Sequence, residues 1–302
     1  MEDYEDYKNT QITVFTPTYN RAYRLSALYE SLRKQTCKDF EWLVIDDGST
    51  DGTSKLFETW KEETTFSVRY LHQKNGGKHR AINKGVLEAK GELFFIVDSD
   101  DYLLPDAIEW IIKNSSDIIN NEKFAGICGL KVYEDGRKVG GGTDFDQIDA
   151  NALDIRFKHH VTGDLAEVFK TKILRQFPFP EIDGEKFCTE ALVWNRIAQQ
   201  YQLRYIYKSI YVCEYLDGGL SNGSICIRRK APIASTRFYA ELFCYDIPFV
   251  QKVKAAINLW RFTPVRSICA SIKAMKGNLI WSILVLPMGI MYSWLDTFSL
   301  KR

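Results

Sequence analysis

KGELFFIVDSDD, residues 90–101, is the stretch on which the fold turns. Residues 93–97, LFFIV, form a short apolar run rich in β-branched and aromatic side chains, which reads as a strand buried on both faces. The run stops at Asp98-Ser99-Asp100-Asp101. Three carboxylates in four residues repel one another, and stability alone gives no reason to place them at a strand end. A divalent cation removes the difficulty, since Mg²⁺ takes one or two carboxylates and fills its other positions with water and substrate phosphate. The plainer alternative is an acidic turn capping the next helix, with Pro105 at its first position.

Upstream, the same grammar repeats. Residues 12–16 form an apolar strand ending at Pro17, and residues 21–35 carry helical spacing at Leu25, Leu28, Tyr29 and Leu32. A strand at 41–45 runs into Asp46-Asp47-Gly48-Ser49-Thr50-Asp51, a turn that also caps a helix over 53–61. A strand at 67–71, a break at Gly76-Gly77 and a helix over 78–89 complete the series. Strands alternating with helices at this spacing predict βαβ units and a mostly parallel sheet. Ligands of such sheets bind beyond the carboxyl ends of the strands, where 17–20, 46–47 and 98–101 all fall.

The nucleotide motifs that this pattern might carry are absent. No G-x-G-x-x-G follows the first strand, and Gly77-Lys78-His79 lacks the spaced glycine and the Ser/Thr of a P-loop. Net charge is +1, so the total implies no nucleic-acid footprint and no nucleic-acid partner is expected. Seven cysteines without a C-x-x-C pair, and four histidines without H-x-x-x-H, argue against structural zinc and a disulfide framework and for a reducing compartment. The start, MEDYEDYKNT, is acidic and polar rather than a secretory signal.

FTPTYNR at 15–21, LVIDDGSTDGT at 43–53, NGGKHRAINKG at 75–85 and GELFFIVDSDD at 91–101 occur in that order. As a set they resemble a family 2 glycosyltransferase with the GT-A fold: an α/β domain with a Rossmann-like, mostly parallel central sheet flanked by helices. The resemblance implies an inverting enzyme that uses a nucleotide-sugar donor and Mn²⁺ or Mg²⁺. It implies that Pro17, Tyr19 and Asp46 frame the base, that residues 78–83 face the nucleotide, and that Asp98-x-Asp100 is the D-x-D motif. The donor-binding set is then Pro17, Tyr19, Asn20, Arg21, Asp46, Asp47, Lys78, Arg80, Asn83, Asp98 and Ser99, with Asp98 and Asp100 on the metal. Read by themselves, Asp46 offers an acceptor for the N3–H of uracil or a helix-start turn. Lys78 and Arg80 offer charge-assisted bonds to diphosphate or a solvated helix face.

Residues 124–215 are less regular. A hairpin is expected from 124–133 and 137–140 around Glu134-Asp135-Gly136. Further on, GEKFCTEALVWNRIAQQ (184–200) turns amphipathic. Related inverting enzymes often carry E-D-x-x-L-x-x-R-L here, and matching its Arg to Arg196 puts the catalytic base on Glu190. The chain has Thr-Glu where the pattern has Glu-Asp, so Glu185 competes for the role. A helix N-terminal charge is the plainer reading of Glu190.

After about residue 216 the character changes. LDGGLSNGS (216–224) reads as a flexible connector. Residues 247–295 contain no acid but hold Lys252, Lys254, Arg261, Arg266, Lys273 and Lys276, and residues 279–295 are almost wholly apolar. That pattern predicts helices in a membrane interface, or else a helical pair packed on the catalytic domain. The expected organisation is a polar tail (1–10), a catalytic domain (11–220) and a C-terminal helical extension (221–302). The expected function is sugar transfer from a nucleotide-sugar, a UDP-sugar by preference, to a glycan or lipid-linked acceptor in cell-surface polysaccharide synthesis. Cytoplasmic placement, peripheral on the inner face of the plasma membrane, goes with it. Two alternatives differ in chemistry. A nucleotidyltransferase would show a Gly-rich loop near the N-terminus, where FTPTYNR stands; a non-catalytic sugar- or lipid-binding relative would lack the metal carboxylates.

Overall fold

A computed structural model describes residues 11–142, 144–213, 224–264 and 279–299. The polar tail at 1–10, nearly all of the 216–224 connector, and Arg266, Lys273 and Lys276 lie outside the described residues. The chain divides into two compact units. The first comprises Met1–Gly76, Arg80–Pro178 and Ile197–Glu214; the second comprises Gly77–His79, Phe179–Arg196 and Tyr215–Arg302.

The first unit is built on a mixed nine-stranded sheet. Its parallel part holds β1 (Ile12–Thr18), β2 (Phe40–Asp46), β3 (Ser67–His72) and β4 (Leu93–Ile96), in the order β3-β2-β1-β4. Every residue of β1 and β2 is buried, as expected of central strands covered on both faces. The connecting helices are α1 (Ala22–Arg33), α2 (Thr53–Glu63) and α3 (Lys78–Glu88). Tyr29 of α1, Trp42 of β2 and Phe57 and Trp60 of α2 form one aromatic cluster, with Tyr29 and Trp60 stacked at 4.3 Å. Burial of such rings contributes roughly 1.5–3 kcal/mol each and clamps the two helices to one face of the sheet.

Beyond β4 the sheet changes sense. β5 (Tyr102–Leu103) precedes α4 (Ala107–Ser115), so the helix expected from Pro105 starts two residues later. β6 (Phe124–Val132), β7 (Gln147–Ala150), α5 (Ala152–Phe157), β8 (Leu165–Lys170), α6 (Thr171–Leu174) and β9 (Gln202–Val212) follow. β8 pairs antiparallel with β4 and β6, while β9 runs parallel to β6 and antiparallel to β5 and β7. The expected hairpin at 124–140 has its turn, closed by Tyr133 N–H to Arg137 O, but its return arm is one isolated bridge, Val132–Lys138. The two places beside β6 are taken by β8 and β9.

The second unit is helical. α7 (Glu190–Ile197) begins in it. α8 (Ser224–Lys230), α9 (Pro232–Cys244), α10 (Phe249–Phe262), α11 (Leu279–Leu284) and α12 (Leu286–Ser299) follow. Ala240 and Phe243 pack on Ala255, Ala256, Leu259 and Trp260. Arg196 binds Glu241 through two hydrogen bonds of 2.8 and 2.6 Å, fastening α7 to α9. The apolar stretch 279–295 is split at Val285 into α11 and α12. Among the described residues no helix is long and apolar enough to cross a membrane.

Candidate active site

The carboxyl ends of β1 and β2 are stitched together by short polar side chains. Asp47 N–H donates to Thr18 O at 2.8 Å. Asn20, at φ +52°, donates its N–H to Ser49 Oγ and accepts from Thr50 N–H at 2.8 Å each. Asp51 accepts from Ala22 N–H at 2.9 Å and from the Thr53 hydroxyl at 2.6 Å, so one carboxylate serves the starts of both α1 and α2. Above these loops Tyr19 is 49% exposed, a ring with a free face. Arg21 turns aside, donating to Tyr23 Oη at 2.8 Å.

Asp46 and Asp47 are buried, and the structure gives both a bracing role. Asp46 accepts from Ser49 N–H at 2.7 Å and from the Tyr70 hydroxyl. Tyr70 stacks on Phe57, so the aromatic core carries the group that fixes the turn. Burial first, then the bond to Asp46, raise the Tyr70 pKa. Asp47 accepts from Gln73 Nε2 and Gly76 N–H, both at 2.8 Å, and from Asn75 Nδ2 at 3.1 Å, drawing in the loop before α3. Of the two roles open to Asp46, the turn is the one its hydrogen bonds display. On α3, Arg80 donates to Gly76 O at 2.7 Å, and Asn83 is half-buried one turn on.

The end of β4 is held by a residue the sequence did not single out. Tyr211 of β9, fully buried, accepts from Asp98 N–H at 3.0 Å and donates to Asp101 Oδ2 at 2.6 Å. The Lys131 ammonium lies 4.0 Å from the Tyr211 ring centroid. One phenol thus fixes both ends of the Asp98–Asp101 turn. Asp98 and Asp100 are half-buried, while Ser99 and Asp101 are buried. Burial, reinforced by the Asp98 charge, pushes the Asp101 carboxyl up to about 7, with Lys131 acting against it. Among the described residues no three His, Cys, Asp or Glu side chains gather into a metal cage. The donor set at this turn nevertheless fits a hard cation, with two accessible carboxylates one residue apart beside a third that crowding disfavours as an anion. The signal for Tyr211 was the third acid of DSDD, a buried carboxylate that needs a donor; β9 itself was not read from the sequence.

In the second unit, Lys78 and Glu190 meet: Nζ lies 2.8 Å from Glu190 Oε1, both side chains about a third exposed. Glu190 is the first residue of α7, the helix N-terminal position that the plainer reading gave it. Gly77, at φ +99°, lets the loop before Lys78 approach closely, since a Cβ there would sit 2.0 Å from Lys186 O. Glu185, the competing base, is buried with both oxygens engaged. It accepts from Ile233 N–H at 2.7 Å and Ala234 N–H at 2.8 Å, capping α9, where Pro232 occupies the first turn.

Comparison with known proteins gives this arrangement a context. The family model described as Glycosyl transferase family 2 matches residues 13–123. Glycosyltransferase GlyG of Streptococcus pneumoniae is 33% identical over 153 residues, half of this chain and 44% of GlyG. The poly(ribitol-phosphate) beta-N-acetylglucosaminyltransferase TarS of Staphylococcus aureus is 35% identical over 115 residues, 36% of this chain and 20% of TarS. The chain therefore spans less than half the length of these relatives. The crystal structure of S. aureus TarS 1–349 with UDP-GlcNAc superposes with a TM-score of 0.60 at 18% identity, covering 97% of this chain and 92% of that one. The fold is that of the GT-A glycosyltransferases, and residues 13–123 are similar to glycosyltransferase family 2.

Proposed function

We propose that the protein is a metal-dependent, inverting glycosyltransferase that moves a sugar from a UDP-sugar to a hydroxyl of a glycan or lipid-linked acceptor in cell-surface polysaccharide synthesis. The observation that carries the proposal is the Asp98–Asp101 turn, fixed by Tyr211 at the end of a central parallel strand. Ligands of such sheets bind beyond that end. The TarS crystal structure with UDP-GlcNAc supports a uridine nucleotide donor. Tyr19 and Pro17 frame the base. Asn20, Arg21, Asp46, Asp47, Arg80, Asn83 and Ser99 complete the donor set, several of them by bracing its loops. Asp98 and Asp100 would hold Mn²⁺ or Mg²⁺, which supplies a Lewis acid for the departing diphosphate; the mannosyltransferase PcManGT of Pyrobaculum calidifontis is a structural neighbour solved with GDP-Man and Mn²⁺.

Glu190 is the base in this reading. It takes the proton of the acceptor hydroxyl as that oxygen bonds to the anomeric carbon, and the nucleoside diphosphate leaves from the opposite face. Lys78 holds the Glu190 carboxylate at 2.8 Å. Glu185 is unsuited to the role because α9 occupies both of its oxygens. The acid-free basic segment 247–295 supports a place at the inner face of the plasma membrane, peripheral and cytoplasmic. A screen of nucleotide-sugar hydrolysis with Mn²⁺ or Mg²⁺ tests the proposal. Release of UDP from at least one UDP-sugar, dependent on the ion, is expected. Absence of hydrolysis and of binding across the panel would remove it.

A further inference from the structure

The last helix of the chain is amphipathic in the reverse sense. Gly289, Ser293 and Asp296 fall at i, i+4 and i+7 and form the face of α12 that packs on the protein. A Cβ at Gly289 would lie 2.5 Å from Trp260 Cβ, so α12 and α10 meet there almost backbone to backbone. Asp296, only 7% exposed, accepts from Arg261 Nε at 2.7 Å and Nη2 at 2.5 Å, with Arg229 Nε at 3.4 Å. Arg229 also donates to Ser293 O and, at 3.1 Å, to Ser293 Oγ. The polar groups of α12 therefore face inward onto two arginines. Its outward face carries Met288, Ile290, Met291, Trp294, Leu295 and Phe298, with Ile290 56%, Trp294 61% and Phe298 55% exposed. A helix bathed in water would turn these faces the other way.

We infer that the outward face of α12 is a docking surface for the headgroup–acyl boundary of an anionic lipid bilayer, entered side-on. Three features select this occupant. At 14 residues α12 is about 21 Å long, short of the roughly 30 Å hydrocarbon core, so it lies in the boundary rather than across it. Trp294 and Tyr292 are the side chains that settle at that boundary. Residues 247–295 contain no acidic residue, and besides Arg261, which Asp296 takes, they hold five basic ones, which complements anionic headgroups rather than a protein surface of mixed charge. The Asp296–Arg261–Arg229 cluster is the bracket that holds the face outward. The inference rests on the peripheral-membrane part of the proposal above and specifies its surface.

Flotation of the full chain with vesicles of phosphatidylcholine and phosphatidylglycerol tests it, with UDP binding measured separately in solution. The wild type is expected to float at low salt and to be released only in part at high salt. Trp294→Glu with Phe298→Glu should weaken flotation at least tenfold. The milder pair Ile290→Ser and Leu295→Ser should weaken it in the same direction, should the acidic pair disturb the helix. Leu87→Glu, at another exposed apolar position, should float as the wild type does. Flotation unchanged by both pairs, complete release by salt, or no flotation of the wild type would overturn the inference. So would a wild-type dimer that the acidic pair converts to monomer, since a second copy would then cover the face. Loss of UDP binding with flotation intact would count against the glycosyltransferase reading alone.

Discussion

The strand ends of the first unit and the last helix of the second dispose of polar groups in opposite ways. At the strand ends, Asp46, Asp47, Asp51 and Asn20 are spent on backbone N–H groups of neighbouring loops, while Tyr19, Asp98 and Asp100 stay accessible. In α12 the polar groups are folded inward and the apolar ones stay accessible. The two proposals above rest on what each region leaves uncovered: a ring and two carboxylates in the first, Met, Ile, Trp and Phe in the second. The contrast also separates bracing from chemistry. A residue inside a recognisable motif can also brace the fold, as Asp46 and Asp47 do.

The largest effect expected at the strand ends comes from Asp100→Ala. It removes one of two accessible carboxylates and should lower transfer by about 10³ or more while leaving the melting temperature near that of wild type. A comparable loss of stability would instead make Asp100 another brace. Next, Glu190→Gln should cost about 10² or more in turnover with donor affinity retained. Glu185→Gln should leave the chemistry intact and cost about 1 kcal/mol or so of stability by weakening the α9 cap. A reversed pattern would exchange the roles of the two acids.

Tyr211→Phe probes whether a fully buried brace can govern an accessible site. Removing the hydroxyl leaves Asp98 N–H and Asp101 without that partner, which should cost about 1–3 kcal/mol in a denaturant melt. Affinity for UDP in the presence of Mn²⁺ should fall as well, whereas Tyr205→Phe, also fully interior, should leave it unchanged. Loss of stability with unchanged affinity would reduce Tyr211 to a core residue.

The smallest effect concerns the second region and pH. Burial alone would raise the Asp296 pKa, but the Arg261 and Arg229 guanidiniums hold it below the ordinary carboxylate value. A carboxyl held low in the folded state stabilises it above its unfolded pKa, and that contribution is lost as pH falls through the folded value. Asp296→Asn should therefore destabilise the chain at pH 7, and the gap to wild type should close as the pH drops below about 4. A gap independent of pH would mean that the Arg contacts do not carry the bracket.

The parallel half of the sheet was legible because it is written in local signals. Each strand is an apolar run that stops at a polar cluster, and each helix opens at a turn such as Gly48-Ser49-Thr50-Asp51. β7, β8, α5 and β9 were not legible. β9, QLRYIYKSIYV, mixes charged and apolar residues, and its partners β5, β6 and β7 are distant in sequence, so no local pattern fixes its register. The site divided in the same way. Motif order singled out Asp98 and Asp100 as candidates, whereas Tyr211 and the capping role of Glu185 depend on pairings more than 45 residues apart. The inward charge cluster of α12 was equally hidden, since Asp296 meets Arg229 and Arg261 only after four helices have packed.

Calorimetric titration of UDP into the full-length chain, with Mn²⁺ and again with a chelator, bears most directly on the donor site. The account predicts binding by the wild type with Mn²⁺, loss of most of it with chelator, and the same loss in Asp100→Ala even when Mn²⁺ is present. Equal binding of UDP by wild type and Asp100→Ala, with or without the ion, would contradict it.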